Sequence, residues 1–219
     1  MIRLIAFDLD GTLLDTLDDL TNAVNYGLSS FGYEQKDKEY VRKAIGNGVR
    51  ILISRCLPNG KENKDYPKVL EAFTNHYHKH YNDNTKPYDG VKDTLKKLKK
   101  ENYLLAVITN KLDFIAKDLI SFHFPDIFDE VLGDSPLLNN KPSKDMLEKV
   151  MSDLNIKKDE TLYVGDTNVD YEFASNAGVK CVLVTYGYRT KKEMSEYNIP
   201  CNKIDNLNAI NYSLEEISR

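Results

Sequence analysis

The stretch Ile2-Arg3-Leu4-Ile5-Ala6-Phe7-Asp8-Leu9-Asp10-Gly11-Thr12 decides the fold of this 219-residue chain. A short apolar run that ends abruptly in Asp-x-Asp-Gly predicts a buried β-strand whose carboxyl end opens into a turn. Open parallel sheets bind their ligands at that edge. Asp8 and Asp10 carry like charges, so each raises the pKa of the other unless a cation offsets the repulsion. Because carboxylate and carbonyl oxygens are at hand without a nearby His or Cys, the pattern favours Mg²⁺.

The composition is typical of a globular protein, with 41% hydrophobic residues, 29% charged residues and a formal net charge of −4. No apolar run approaches the roughly 20 residues that span a bilayer. Met1-Ile2-Arg3 leads directly into the strand without a signal-peptide pattern, so we expect a cytoplasmic location. The charge balance and the lack of a base-stacking module argue against a nucleic-acid partner. Cys56, Cys181 and Cys201 are expected to be free, buried thiols, and the oligomeric state stays open between monomer and dimer.

The chain changes its pattern after the first strand. Apolar residues recur at helical spacing after Thr16, and a capping box of Thr16 with Asp19 would begin that helix. Helical segments continue to about residue 81, whereas strands and helices alternate from Pro87 onward and a C-terminal helix ends the chain. The predicted fold is therefore α/β, a doubly wound parallel sheet formed by residues 1–15 and 84–219. An all-helical cap, residues 16–83, is inserted after the first strand.

Two further polar stretches lie at element boundaries of the predicted core. Thr109-Asn110-Lys111 follows the strand predicted at 103–108, and Lys141-Pro142 is expected to open a helix at Ser143. A hydroxyl group at the end of a strand can donate a hydrogen bond to a ligand, although Thr is also a common β-branched filler.

A last polar stretch, Gly165-Asp166-Thr167-Asn168-Val169-Asp170, follows the strand predicted at 161–164. If a helix begins at Asn168, the carboxylates of Asp166 and Asp170 face the same side and can both reach one cation. Asp170 can equally act indirectly, through a water molecule or through another ligand. These residues extend the predicted metal site to a second strand end.

In their order along the chain, these stretches resemble the four signature motifs of the haloacid dehalogenase superfamily of phosphatases and phosphomutases. The string from Asp8 to Thr16 carries the most specific part of the resemblance. It implies a Rossmann-like core in which Asp8 attacks the phosphorus to form an aspartyl-phosphate. Asp10 would protonate the leaving oxygen and later deprotonate the attacking water.

The resemblance also implies how the remaining motif residues act. Thr109, the backbone amide of Asn110 and Lys141 would hold the phosphate oxygens. The Mg²⁺ cofactor would be held by Asp8, the backbone carbonyl of Asp10, Asp166 and, directly or indirectly, Asp170. The partner implied is a small phosphorylated metabolite.

Within the predicted cap, Gly46-Asn47-Gly48-Val49-Arg50 resembles the loop that overhangs the active site in the phosphoglycolate phosphatase group. Gly46, Gly48 and Arg50 are therefore candidate substrate contacts. A phosphomutase of the β-phosphoglucomutase kind shares the motifs and remains an alternative, as do a pyrophosphatase and a nucleotidase. A non-catalytic phosphate-binding module is disfavoured, because every residue needed for turnover is present. The sequence leaves the physiological substrate open, since specificity depends on cap loops.

Overall fold

The computed structural model describes residues 1–211 and 214, and the chain divides into two compact units. The core unit comprises Met1–Leu14 and Pro87–Arg219, and the helical unit comprises Asp15–Lys86. The predicted insertion, residues 16–83, begins one residue later and ends three residues earlier than this helical unit. That the helical unit serves as a cap remains a proposal.

The core unit contains a six-stranded sheet in which every adjacent pair of strands is parallel. In chain order the strands are β1 (Leu4–Phe7), β2 (Leu14–Asp15), β3 (Lys86–Pro87), β4 (Leu104–Leu112), β5 (Glu130–Asp134), β6 (Thr161–Gly165), β7 (Lys180–Val184) and β8 (Asn202–Ile204). The sheet has the order β5-β4-β1-β6-β7-β8, whereas β2 and β3 form a separate two-stranded ribbon. Strands β4 and β5 thus lie on one side of β1, and the later strands β6 to β8 lie on the other side. This reversal creates a switch point at the carboxyl end of β1, where such sheets bind ligands.

The part of the chain that the structure describes includes nine α-helices of six residues or more. Their bounds are α1 (Leu17–Ser29), α2 (Lys38–Ala44), α3 (Val49–Cys56), α4 (Tyr66–His80), α5 (Val91–Lys100), α6 (Asp113–His123), α7 (Asp145–Asp153), α8 (Asn168–Ala177) and α9 (Lys191–Glu196). Helices α1 to α4 belong to the helical unit and α5 to α9 to the core unit. Within the described residues, no helix combines the length and the apolar character needed to cross a membrane.

Burial of the central strands explains why the sheet forms. All residues of β1 and β6 are buried, as expected for parallel strands that helices cover on both faces. One apolar cluster joins these strands to the inward faces of α7 and α8; its members include Leu4, Ala6, Ile108, Leu147, Val150, Tyr163 and Phe173. The α/β fold with a doubly wound parallel sheet is therefore confirmed.

Several predicted boundaries are wrong. Strand β4 does not end at Ile108 but continues to Leu112, with a register shift against β5 between these residues. Helix α7 begins at Asp145 and not at Ser143, because the chain turns there and the Ser143 amide donates to the Asn140 carbonyl. The short edge strand β8 was not predicted. Most of the predicted C-terminal helix lies outside the described residues.

Two close contacts hold the helical unit together. At Gly27, α1 approaches α4 so closely that an added Cβ would lie 3.0 Å from the Val69 carbonyl oxygen. The predicted capping box is wrong, since the Thr16 side chain forms no capping hydrogen bond; the Leu17 amide at the start of α1 donates to the Asp15 carboxylate at 3.3 Å. The buried carboxylate of Asp19 instead accepts hydrogen bonds from the backbone amides of Asn84 and Thr85, at 2.9 to 3.0 Å, and from both of their side chains, at 2.8 Å.

We expect Asp19→Ala to lower the free energy of unfolding by about 2 to 4 kcal/mol. The substitution removes the buried carboxylate and leaves several hydrogen-bond donors without an acceptor. Asp18→Ala is the matched control, since Asp18 lies in the same first helical turn but, among the described residues, forms only an exposed ion pair with Lys38. The control should lower the free energy of unfolding by less than about 1 kcal/mol. Urea titration of both variants measures the difference, and equal losses would contradict the structural role of Asp19.

Candidate active site

Three buried carboxylates, those of Asp8, Asp166 and Asp170, meet at the carboxyl edge of the sheet. Strand β1 lies beside β6, with Phe7 opposite Val164, so Asp8 and Asp166 follow the ends of neighbouring strands. One oxygen from each of the three carboxylates lies within 4.8 Å of the other two. The structure thus brings together residues that are separated by more than 150 positions in the sequence.

The ammonium group of Lys141 lies within this cluster. Its Nζ is 3.0 Å from Asp8 Oδ1 and 2.8 Å from Asp170 Oδ1, and it donates to the Tyr163 hydroxyl at 3.0 Å. Asn110 holds the backbone of Lys141 from the neighbouring strand β4. The Asn110 side chain donates to the Lys141 carbonyl at 3.1 Å and accepts from the Lys141 amide at 2.8 Å. The lysine is therefore held in position both at its backbone and at its ammonium group.

Asp170 has partners at both of its oxygens. Oδ1 binds Lys141, while Oδ2 accepts from the Thr167 amide and hydroxyl and from the Asp166 amide at 2.7 to 3.2 Å. Burial opposes ionisation of Asp170, but the Lys141 charge and these hydrogen bonds outweigh it and lower its pKa. The carboxylate therefore orients Lys141 and the turn that carries Asp166. This arrangement favours the indirect alternative for Asp170 over direct metal ligation.

The negative charges of Asp8 and Asp166 are offset less well by their surroundings than the charge of Asp170. Burial raises the pKa of Asp8 to about 7; the Lys141 charge lowers it, and the charges of Asp170 and Asp10 raise it further. Burial and the charges of Asp170 and Asp8 also raise the pKa of Asp166 well above its usual range. Among the described residues, Asp8 Oδ2 has no hydrogen-bond donor. Hard oxygen ligands around an excess of negative charge fit a divalent cation such as Mg²⁺, with Asp8 and Asp166 as its side-chain ligands.

The Asp10 carboxylate lies outside this cluster and forms an ion pair with a different lysine. Its carboxylate oxygens are 2.8 and 3.1 Å from Nζ of Lys111, whose side chain is almost fully buried. No role is predicted for Lys111 from the sequence. Its position directly after Thr109-Asn110 was the available signal, because it places the lysine at the end of the strand next to β1.

The loop after β7 supplies a second group of contacts that was missed. The Tyr188 amide donates to Asp166 Oδ2 at 2.6 Å, and the Tyr186 hydroxyl donates to the Thr12 carbonyl at 2.9 Å. Gly187 lies between these tyrosines, where a Cβ would overlap with the Gly11 carbonyl and the Asp166 side chain. In the sequence, this loop could have been recognised as a site element because it is a further polar, glycine-containing stretch that follows a strand of the same sheet.

The remaining predicted residues are distributed over both units. Thr109 is buried in β4, and its hydroxyl accepts from the Lys111 amide at 3.3 Å. Gly46 and Gly48 precede α3 in the helical unit, both with positive φ, and Arg50 lies in the first turn of that helix. Contacts of these residues with a substrate remain predictions.

Comparison with known proteins agrees with this fold. The profile of the haloacid dehalogenase-like hydrolases matches residues 5–184. The chain therefore belongs to the haloacid dehalogenase-like hydrolase family. Its enzyme class is that of a phosphatase, a phosphoric monoester hydrolase.

Individual relatives cover most of the chain. Phosphoglycolate phosphatase 1 of Pseudomonas aeruginosa is 39% identical over 210 residues, which are 94% of this chain and 77% of that protein. Phosphoglycolate phosphatase of Aliivibrio fischeri is 34% identical over 202 residues, 89% of either chain. The crystal structure of a predicted phosphoglycolate phosphatase from Haemophilus somnus superposes with a TM-score of 0.87 at 27% identity, covering 100% of this chain and 98% of that one.

We expect Gly187→Ala to lower kcat roughly a hundredfold, because the added methyl group must displace Asp166 or the backbone of Gly11. Gly178→Ala is the control in the same unit: Gly178 has positive φ, but a Cβ there would contact only the flexible end of Lys158, at 3.7 Å. The control should lose about 1 kcal/mol of stability and retain its activity. Steady-state phosphatase assays check both variants, and full activity of Gly187→Ala would contradict the close packing at Asp166.

Proposed function

We propose that this phosphatase depends on Mg²⁺ and hydrolyses a small phosphomonoester similar to phosphoglycolate, through an aspartyl-phosphate formed on Asp8. The observation that carries the proposal is the meeting of Asp8, Lys141 and Asp166 at the carboxyl edge of β1. It provides a carboxylate nucleophile, a fixed positive charge and a second metal-binding carboxylate within a few ångströms. Such preorganised charges are what phosphoryl transfer requires.

In the first step, an Asp8 oxygen attacks the phosphorus, and the bond between phosphorus and the leaving oxygen breaks. Asp8 Oδ1 is held by the Leu9 amide at 2.7 Å and by Lys141, which leaves Oδ2 as the attacking atom. The proton on the Asp10 carboxyl group passes to the leaving oxygen, so the organic product departs with a hydroxyl group and not as an alkoxide.

In the second step, Asp10 takes a proton from a water molecule that attacks the phosphorus of the aspartyl-phosphate. The bond between Asp8 and phosphorus breaks, and inorganic phosphate is released. The ion pair with Lys111 holds the Asp10 carboxylate that remains after the first proton transfer in position for the second. Asp10 is thus the general acid and then the general base of the same cycle.

Charge stabilisation during both steps involves residues of several strands. Lys141, the Thr109 hydroxyl and the Asn110 amide would bind the phosphoryl oxygens. Bound Mg²⁺ would offset the negative charge of the nucleophile and of the phosphoryl group. Asp8, Asp166 and the backbone carbonyl of Asp10 would hold it, and Asp170 would keep Lys141 and the Asp166 turn in place.

The helical unit is proposed to act as the cap that selects the substrate. Arg50 is its strongest candidate for contact with a carboxylate-bearing substrate, because among the described residues no hydrogen bond or ion pair engages its guanidinium group. In contrast, the Arg55 guanidinium donates to the Ala44 carbonyl at 2.7 Å and to Asn47 at 2.8 Å, so it supports the loop that contains Gly46 and Gly48. A free guanidinium group can form a bidentate pair with a carboxylate.

We expect phosphate release from 2-phosphoglycolate to stop in excess chelator and to return when Mg²⁺ is restored. Asp8→Asn should lower kcat by on the order of 10⁴-fold or more, because the nucleophile is lost. Beryllium fluoride, which mimics an acyl-phosphate, should inhibit the wild type. Asp18→Asn makes the same change of charge at an exposed position and should leave the activity unchanged.

The same assay separates the alternatives. A panel with phosphoglycolate, pyrophosphate, a nucleoside monophosphate and a sugar phosphate identifies the preferred class by its kcat/KM. A phosphatase yields one phosphate for each substrate consumed and needs no bisphosphate primer. Accumulation of an isomeric sugar phosphate with little free phosphate would contradict the hydrolase and indicate a mutase. Full activity in chelator, or an active Asp8→Asn variant, would contradict the mechanism.

Arg50→Ala should raise KM for phosphoglycolate about tenfold or more, because a charge-assisted pair with the substrate carboxylate is lost. Hydrolysis of p-nitrophenyl phosphate, which has no carboxylate, should be nearly unchanged and serves as the internal control. Equal losses on both substrates would assign Arg50 to the folding of the helical unit, and no loss on either would remove it from substrate binding.

A further inference from the structure

Two of the three cysteines lie side by side on neighbouring strands of the core unit. Cys181 belongs to β7, and Cys201 directly precedes β8. These parallel strands pair with Val182 opposite Asn202, so Cys181 and Cys201 occupy facing positions one residue earlier. Adjacent strands lie about 4.8 Å apart, which is within the range of roughly 4.4 to 6.8 Å between Cα atoms that a disulfide spans.

The two side chains share the same surroundings. Both pack against the apolar cluster of Leu183, Met194 and Ile199, so both lie on the same face of the sheet. Both also line an open cavity of about 420 Å³ and are partly exposed, whereas the sequence had suggested buried thiols. A small molecule can therefore reach them. Cys56, in contrast, is buried in α3 of the helical unit.

The two thiols also differ in acidity. The neighbouring Cys181 thiol, the charge of Lys203 and the Leu183 amide lower the pKa of Cys201, and together they outweigh burial, which raises it. The neighbouring Cys201 thiol and burial raise the pKa of Cys181. Burial raises the pKa of Cys56 to about 11. Because the thiolate is the reactive form, Cys201 is expected to be the attacking group and Cys181 the resolving group.

We propose that Cys181 and Cys201 are a dithiol modification site, which exchange with a low-molecular-weight disulfide converts to an intramolecular disulfide between β7 and β8. The Cys201 thiolate attacks one sulfur of the reagent, whose sulfur–sulfur bond breaks and releases the first small thiol. Cys181 then loses its proton and attacks the Cys201 sulfur of the mixed disulfide, which releases the second small thiol. One small disulfide is reduced to two thiols while two protein thiols are oxidised to one disulfide.

The test uses the full chain and oxidised glutathione as the probe. After incubation and rapid alkylation, peptide mapping should find one crosslinked pair containing Cys181 and Cys201 and an alkylated Cys56. A reductant should restore three alkylated thiols. The proposal is overturned by three free thiols after incubation, by a glutathione adduct that persists without closing, or by a crosslink that includes Cys56.

Serine variants distinguish the two steps of the exchange. Cys181→Ser should accumulate a stable glutathione adduct on Cys201, because the resolving thiol is missing. Cys201→Ser should react at Cys181 at least tenfold more slowly than the wild type reacts at Cys201. Cys56→Ser, the matched control, should form the crosslink as the wild type does. Equal rates at Cys181 and Cys201 would overturn the assigned order of attack, and retained phosphatase activity verifies that each variant is folded.

Discussion

The ammonium group of Lys141 is bonded to Asp8 and Asp170 at once, and it is almost fully buried. A buried charge is tolerated only when its partners are close and well oriented, and removing one partner leaves the other uncompensated. The loop that carries Lys141 must therefore be fixed, and the Asn110 side chain fixes it through two hydrogen bonds to the Lys141 backbone. Through this one side chain, β1, β4 and the turn before α8 depend on one another. The charges of the site thus also hold the ends of the central strands together.

The sheet and most of the charged residues of the site could be predicted because they depend on local patterns. Apolar runs with polar ends indicate buried parallel strands, and the carboxyl ends of parallel strands lie at the same edge of the sheet. Asp8 and Asp166 therefore meet although they are far apart in the sequence, and knowing that each follows a core strand was sufficient to predict it. Lys141 lies in the loop before α7, so its place beside Asp8 was implied only by the family resemblance.

The parts that could not be predicted depend on pairing between distant segments. Asp19 has the local pattern of a capping residue, but it binds the amides of Asn84 and Thr85 instead, because the chain returns beside the start of α1. Strand β8 has only three residues, two of them exposed, so no apolar run marks it, and its pairing with β7 defines it. The contact of Tyr188 with Asp166 depends on the path of a loop and not on a periodic pattern.

The two aspartates of the first motif differ in how their charge is balanced. Asp8 shares the ammonium group of Lys141 with Asp170 and lies near Asp166, so negative charge remains in excess around it. Asp10 forms its ion pair with Lys111, outside the cluster of three carboxylates. The proposed divalent cation would therefore offset charge at the Asp8 side chain and not at the Asp10 side chain. This difference is consistent with the proposed mechanism, in which the Asp10 backbone carbonyl binds the metal while its carboxylate remains available for proton transfer. Two residues with the same side chain can thus take different roles because different lysines lie beside them.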